Sequence, residues 1–343
     1  MCRILSRLPL ASAAQRSLRA YAVQDYPAIM HSSEYIDAQT QHIDVLLFDA
    51  FSNHCLANTV EPLRAANGFA GRTLYSWRFC TLDGAHVHSS SGLQVAPHCA
   101  LDAATGDTLY VMPSYGVRAL DQWAVVRALR RVAGRYGVIG GFDTGPWLMA
   151  RAGLLDGSRA TIHWDELTAF AEAFPHIDVQ RARYVIDGAR LTCSGAMAAF
   201  DLVLHLISER HGPLLALDVA QLFMSAQAGP ARWQAPSRPG RTVSRALAVM
   251  QETLEHPLTI PALARRIGCT QKTLEQRMRA VMQATPQAVY HRLRLNHAYQ
   301  LVADTDLPVS EIAGRCGYDN ASAMTRAFRT AFQVTPTGVR QGR

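Results

Sequence analysis

From His42 onward, short apolar runs alternate with stretches whose apolar residues recur at helical spacing. His42–Phe48 (HIDVLLF), Trp77–Leu82, Thr108–Met112 and Tyr136–Gly141 read as buried strands. Ala57–Ala66, Leu120–Ala133 and Pro146–Gly153 read as helices between them. Strands alternating with helices predict βαβ units, hence a largely parallel, flavodoxin-like sheet covered on both faces. Gly195–Arg210 and Pro213–Ser225 add two helices that close this α/β domain, assigned to residues 42–225. The next stretch, Ala226–Thr242 (AQAGPARWQAPSRPGRT), has three prolines, two glycines and no acid, and reads as a linker over 226–242. Beyond it the pattern is helical throughout, predicting an all-α second domain over 243–340. Residues 1–40 are rich in Ala, Ser and Arg with Asp25 as the first acid, and read as a disordered extension, with Met30 as an alternative start.

Composition narrows the class. Of 343 residues, 49% are hydrophobic and 18% charged, which suits a globular chain of two or three domains. No stretch approaches the roughly 20 consecutive apolar residues that a membrane span needs, so no membrane partner is expected. Seven cysteines are scattered without a CxxC pair, as reduced thiols of a cytoplasmic protein would be. The net charge of +7 is placed unevenly. From Arg241 to Arg343 there are fourteen Lys and Arg against seven Asp and Glu, while residues 1–240 balance at zero. A neutral body with a basic end is the footprint of a nucleic-acid-binding domain joined to something else.

The basic end repeats one design. Thr259–Gly268 (TIPALARRIG) is a short helix ending in glycine, followed by a second helix over Cys269–Met278. Val309–Gly317 (VSEIAGRCG) leads in the same way to Tyr318–Phe328. A glycine at the tight turn supplies the left-handed backbone a helix-turn-helix requires. Leu263, Ile267, Leu274 and Met278 would form the contacts of the first unit, and Ile312, Cys316, Met324 and Phe328 those of the second. A long helix around Gln287–Val302 joins them. Here the sequence resembles the AraC family, over about Leu247 to Arg340. The resemblance rests on LRLNHAYQLV, VSEIAGRCGYDN, RAFR at Arg326–Arg329, and the pairs Thr285-Pro286 and Thr335-Pro336. It departs at Met278, Met282 and Met324, where the family usually carries aromatics; Met fills such gaps adaptably.

The resemblance implies that each second helix enters the major groove of promoter DNA. Gln271, Lys272, Thr273 and Gln276, with Asn320, Ser322 and Thr325, are then candidate base readers, because their side chains donate or accept at base edges. Arg277, Arg279, Arg326 and Arg329 are candidate phosphate clamps, which position a protein without specifying sequence. The alternative for each arginine is a solvated helix face.

The α/β domain resembles the PfpI/GlxA group of class I glutamine-amidotransferase-like domains. The matching residues are Glu61-Pro-Leu63 with Ala65-Ala-Asn67, Gly140-Gly-Phe-Asp-Thr-Gly-Pro-Trp147, Ala152-Gly-Leu-Leu-Asp-Gly157 and Ala160-Thr-Ile-His-Trp164. Enzymes of that superfamily carry a cysteine on the strand-to-helix elbow at the position assigned to Asp143. A carboxylate lacks the polarizable thiolate used for acyl transfer, so no thiol-dependent catalysis is expected. Asp143, Glu61, Thr144, Trp147, His163 and Trp164 are the candidate ligand-binding residues. Carboxylates beside aromatic faces favour a cationic nitrogenous metabolite. The elbow also resembles that of GlxA-group regulators of arginine, carnitine and glycine-betaine catabolism. Two readings of Asp143 stand together: a ligand partner, or a cap for the helix that Pro146 begins. For Trp147 and Trp164, core packing is the favoured reading. His86 and His88 lack a third ligand, so neither a metal site nor a cofactor is expected.

These readings converge on a ligand-responsive transcription regulator, not an enzyme. It is expected to be a homodimeric activator of catabolic genes that works with RNA polymerase. The competing class is a hydrolase with a DNA-binding appendage, and a ligand-blind scaffold is a third.

Overall fold

A computed structural model describes residues 39–223 and 238–341. The predicted extension over 1–40 falls almost wholly outside these, as does most of the predicted linker. In the α/β domain, β1 (Gln41–Leu47) leads to α1 (Asn53–Ala70) and β2 (Tyr75–Thr81). Short pairings follow at β3 (Val87–His88), β4 (Gln94–Val95) and β5 (Cys99–Ala100). Next come β6 (Thr108–Met112), α2 (Val117–Leu120), α3 (Trp123–Ala133), β7 (Val138–Phe142) and α4 (Gly145–Arg151). The domain finishes with β8 (Arg159–Ala160), α5 (Leu167–Ala173), β9 (Asp178–Val179), β10 (Tyr184–Asp187), β11 (Arg190–Cys193), α6 (Ala196–His211) and α7 (Pro213–Phe223).

Seven strands form one sheet in the order β10-β11-β7-β6-β1-β2-β5, parallel except for the β10–β11 edge. Both faces are buried, so alternation serves two cores instead of separating core from solvent. Ile43, Val45 and Leu47 of β1 face α1, α6 and α7, whereas Leu46 faces the layer built by α3, α4 and α5. Asp44 on that second face is fully buried, and accepts from Arg78 Nε at 2.9 Å, Gly106 N at 2.6 Å and Tyr136 Oη at 3.0 Å. From β1 the chain crosses to β2 on one side, and from β6 it crosses to β7 on the other. The carboxyl ends of β1 and β6 therefore border the crevice where such sheets bind ligands.

The second domain comprises α8 (Arg238–Glu252), α9 (Ile260–Arg266), α10 (Gln271–Met282), α11 (Pro286–Asp304), α12 (Val309–Arg315), α13 (Ala321–Phe332) and α14 (Pro336–Gln341). Helix α8 begins inside the stretch read as linker. Two small cores share α11. Val289, Tyr290 and Leu293 pack with α8, α9 and α10; Leu295, Ala298, Tyr299 and Val302 pack with α12, α13 and α14. One helix thus forms a wall of both units.

Candidate functional site

The two helix-turn-helix units are built alike. Gly268 and Gly317 take the left-handed backbone at φ 75° and 67°. Thr270 caps α10 by accepting from Thr273 N at 3.1 Å, and Asn320 caps α13 by accepting from Ala323 N at 2.8 Å. Each helix ends on a left-handed glutamine, Gln283 or Gln333, followed by a threonine that caps the next helix and a proline in its first turn. Leu274 and Met278 in α10 match Met324 and Phe328 in α13, fifty positions on, all fully buried. Gln276 therefore corresponds to Arg326, and Arg279 to Arg329.

Gln271, Lys272, Gln276 and Arg279 are exposed on α10, as are Ser322, Arg326 and Arg329 on α13, while Thr273 and Thr325 are half-buried. Two of the predicted contact residues have partners within the module. Arg277 is half-buried and its guanidinium donates to the Thr242 hydroxyl of α8, which ties the helix to its own core instead of reaching outward. Asn320 spends its carbonyl oxygen as the α13 cap. Arg294 of α11, not singled out from sequence, donates to the carbonyls of Cys316 and Gly317, each at 2.6 Å, and stacks 4.3 Å over Tyr318. It pins the second turn to the shared helix.

At the sheet, Asp143 follows β7 with φ 60°, a conformation uncommon outside glycine. The glycines around it permit this tight elbow. A Cβ on Gly145 would lie 2.2 Å from Val111 O, and one on Gly141 would meet Pro146 N at 2.7 Å. Asp143 is 7% exposed, and its Oδ2 accepts from the Ser114 hydroxyl at 2.8 Å. Thr144 donates to Ser114 O at 2.7 Å, and His163 N donates to Asp143 O at 3.0 Å. Loops after β6, β7 and β8 are thereby laced together. Burial pushes the Asp143 carboxyl above its ordinary range, opposed by the Ser114 hydrogen bond and the nearby His163. Helix α4 starts without a side-chain cap from Thr144, and the Asp143 carboxylate turns to Ser114, so the capping reading is not what the geometry holds.

Two predicted ligand residues lie elsewhere. Trp147 is 3% exposed: Phe170 and Phe174 pack around its ring, Arg118 stacks on it at 3.4 Å, and its Nε1 donates to Asp121 at 3.1 Å. It is core. Glu61 is half-exposed and paired with Arg64 at 2.7 Å. On α1, Cys55 is fully buried, and its thiol is pushed up by burial and by Cys193 and Asp143 nearby. Cys193, on the strand beside β7, faces the backbone N–H groups of Asp143 and Gly195 and is pushed up to about 12 by burial. A thiol so held is not a poised nucleophile. Trp164 is 73% exposed and its ring lies 5.6 Å from that of His163. Tyr115, next to Ser114, is also exposed and was not singled out from sequence.

The helix-turn-helix domain family matches residues 263–342. Over 300 residues the chain is 37% identical to HTH-type transcriptional regulator CdhR of Pseudomonas aeruginosa, spanning 85% of this chain and 89% of that protein. The chain belongs to the GlxA/CdhR/GbdR-type helix-turn-helix transcriptional regulators. Against GlxA of Rhizobium meliloti the identity is 35% over 313 residues, covering 88% of this chain and 96% of the relative. A ThiJ/PfpI family protein from Pseudomonas syringae is similar in structure at 18% identity, with a TM-score of 0.49 over 80% of this chain and 99% of that chain. This GlxA-type regulator joins an α/β domain to an AraC-type DNA-binding module. Among the described residues no helix is long and apolar enough to cross a membrane.

Proposed function

We propose that this regulator is a cytoplasmic homodimer that activates catabolic genes together with RNA polymerase when a small cationic metabolite binds beside Asp143. The observation that carries the effector reading is the Asp143 carboxylate. It is buried at the crevice, and a hydroxyl bonds it where a guanidinium would have neutralised it. Tyr115 and Trp164 stand next in sequence to Ser114 and His163, and offer exposed aromatic faces for an amine or quaternary ammonium. The elbow's resemblance to regulators of arginine, carnitine and betaine catabolism suggests the same class. Ligand binding shifts gene output only if it favours one arrangement of the protein over another.

The test is a thermal-shift series with arginine, carnitine, glycine betaine and simple amines. A ligand near saturation should raise the melting temperature by about 5 °C or more in the wild type, and not in Asp143→Ala. Because burial raises the Asp143 pKa, the ionised form that a cation needs is lost on acidification while the pH is still above the ordinary aspartate range. A shift retained by Asp143→Ala, or no shift with any compound, counts against the reading.

For DNA, we assign base-edge reading to Gln271, Lys272 and Gln276 in α10 and to Ser322, Thr325 and Arg326 in α13, with Arg279 and Arg329 on phosphates. Placing Arg326 among the readers follows from its equivalence to Gln276, and an arginine there suits a guanine edge. Arg326→Ala should then relax preference at particular base pairs. Arg329→Ala should weaken binding on all sequences and flatten its salt dependence. Binding to duplex variants at several salt concentrations separates the two.

A further inference from the structure

The α/β domain grips the DNA-binding module through the helix that both reading units share. Asp218 of α7 is fully buried and takes a fork of hydrogen bonds from Arg292 of α11, with Nε at 2.9 Å from Oδ1 and 3.0 Å from Oδ2, and Nη2 on Oδ2. Asn296, one turn along α11, donates to Asp218 Oδ1 at 2.8 Å and to Gln221 Oε1 at 3.0 Å. Leu214 and Leu217 of α7 pack on the core of the first unit, and Phe69 of α1 on that of the second. A cavity of about 130 Å³ lies alongside, between Phe69, Gln221 and Asn296, Tyr299, so this seam is not close-packed. The exposed residues of α10 and α13 stay uncovered.

A buried ion pair adds little net stability, but its bidentate geometry is selective for one orientation. Loosely packed apolar contacts tolerate sliding; a two-pronged fork plus an amide does not. We infer that Asp218 is a positioning residue for DNA reading: through Arg292 and Asn296 it sets the rotation of α11, and so the placement of both reading helices, without covering either. This rests on DNA reading by α10 and α13. It assigns the α/β domain a grip on the rod in place of a shield over the readers.

The test uses the full chain with two duplexes, one recovered by mapping bound genomic fragments and one of random sequence. Asp218→Asn should weaken binding to the recovered duplex about tenfold and leave random-sequence binding unchanged. Amide exchange in α11 should quicken in the same variant. Asn296→Ala should act in the same direction by about threefold, and supplies the test if Asp218→Asn does not fold. Exchanging the charges, Asp218→Arg with Arg292→Asp, should recover part of the loss. Equal losses on both duplexes, or no loss on either, overturn the assignment; wild-type protein that binds neither duplex contradicts the DNA reading itself.

Discussion

The two helix-turn-helix units share their punctuation and differ in how they are held. Both begin their second helix on a polar cap, end it on a left-handed glutamine and restart on Thr-Pro. The first unit's turn is open: a Cβ on Gly268 would meet nothing within 4 Å. The second is wedged, since a Cβ on Gly317 would lie 2.5 Å from Pro257 Cδ and 2.7 Å from Leu254 O. The second core is also aromatic, with Tyr299 stacked on Phe328 at 5.9 Å and Phe332 edge-on to both, where the first is filled by Leu274, Met278 and Met282. Repeated caps make the shape, then, and contacts outside the repeat fix one copy against the other. The wedge and Arg294 make the second unit a dependent of the first.

Paired substitutions test that asymmetry. Gly317→Ala meets both a left-handed strain and backbone overlap, and should cost about 4 kcal/mol, whereas Gly268→Ala carries only the strain, about 1–2 kcal/mol. Urea denaturation of the two variants measures the gap, and equal costs would break the comparison. Arg294→Ala leaves the carbonyls of Cys316 and Gly317 without its guanidinium and should cost about 2 kcal/mol. Its amide-exchange signature should appear in α12 and α13 and spare α9. Thr270→Ala and Asn320→Ala should cost about 1 kcal/mol each, because the caps are equivalent. A severalfold difference between these two, read from melting curves, would mean that the repeat is only superficial.

Much of this was legible in the chain, for identifiable reasons. Gly268 and Gly317 stand out because a left-handed turn has few residues to choose from. The strand Thr108–Met112 stands out because an apolar run bounded by turn residues has few alternatives. The pairings of β3 to β5 and β8 to β11 are not legible there, since segments of two to four residues carry no period. Partner choice was the harder matter. Nothing in the sequence says that Arg277 turns back to Thr242, or that the core partners of Trp147 are Phe170 and Phe174. Cys55 lies near Asp143 on a helix whose spacing marks it only as apolar. The grip of Asp218 on Arg292 joins different domains, so no local pattern announces it.

The central claim is that α10 and α13, held at a fixed offset by α11, read one duplex together. Footprinting on a duplex recovered from genomic mapping tests it directly. Two protected major-groove segments about one helical turn apart are predicted, with binding lost when about five base pairs are inserted between them. Protection of a single segment, or affinity indifferent to the insertion, would contradict it.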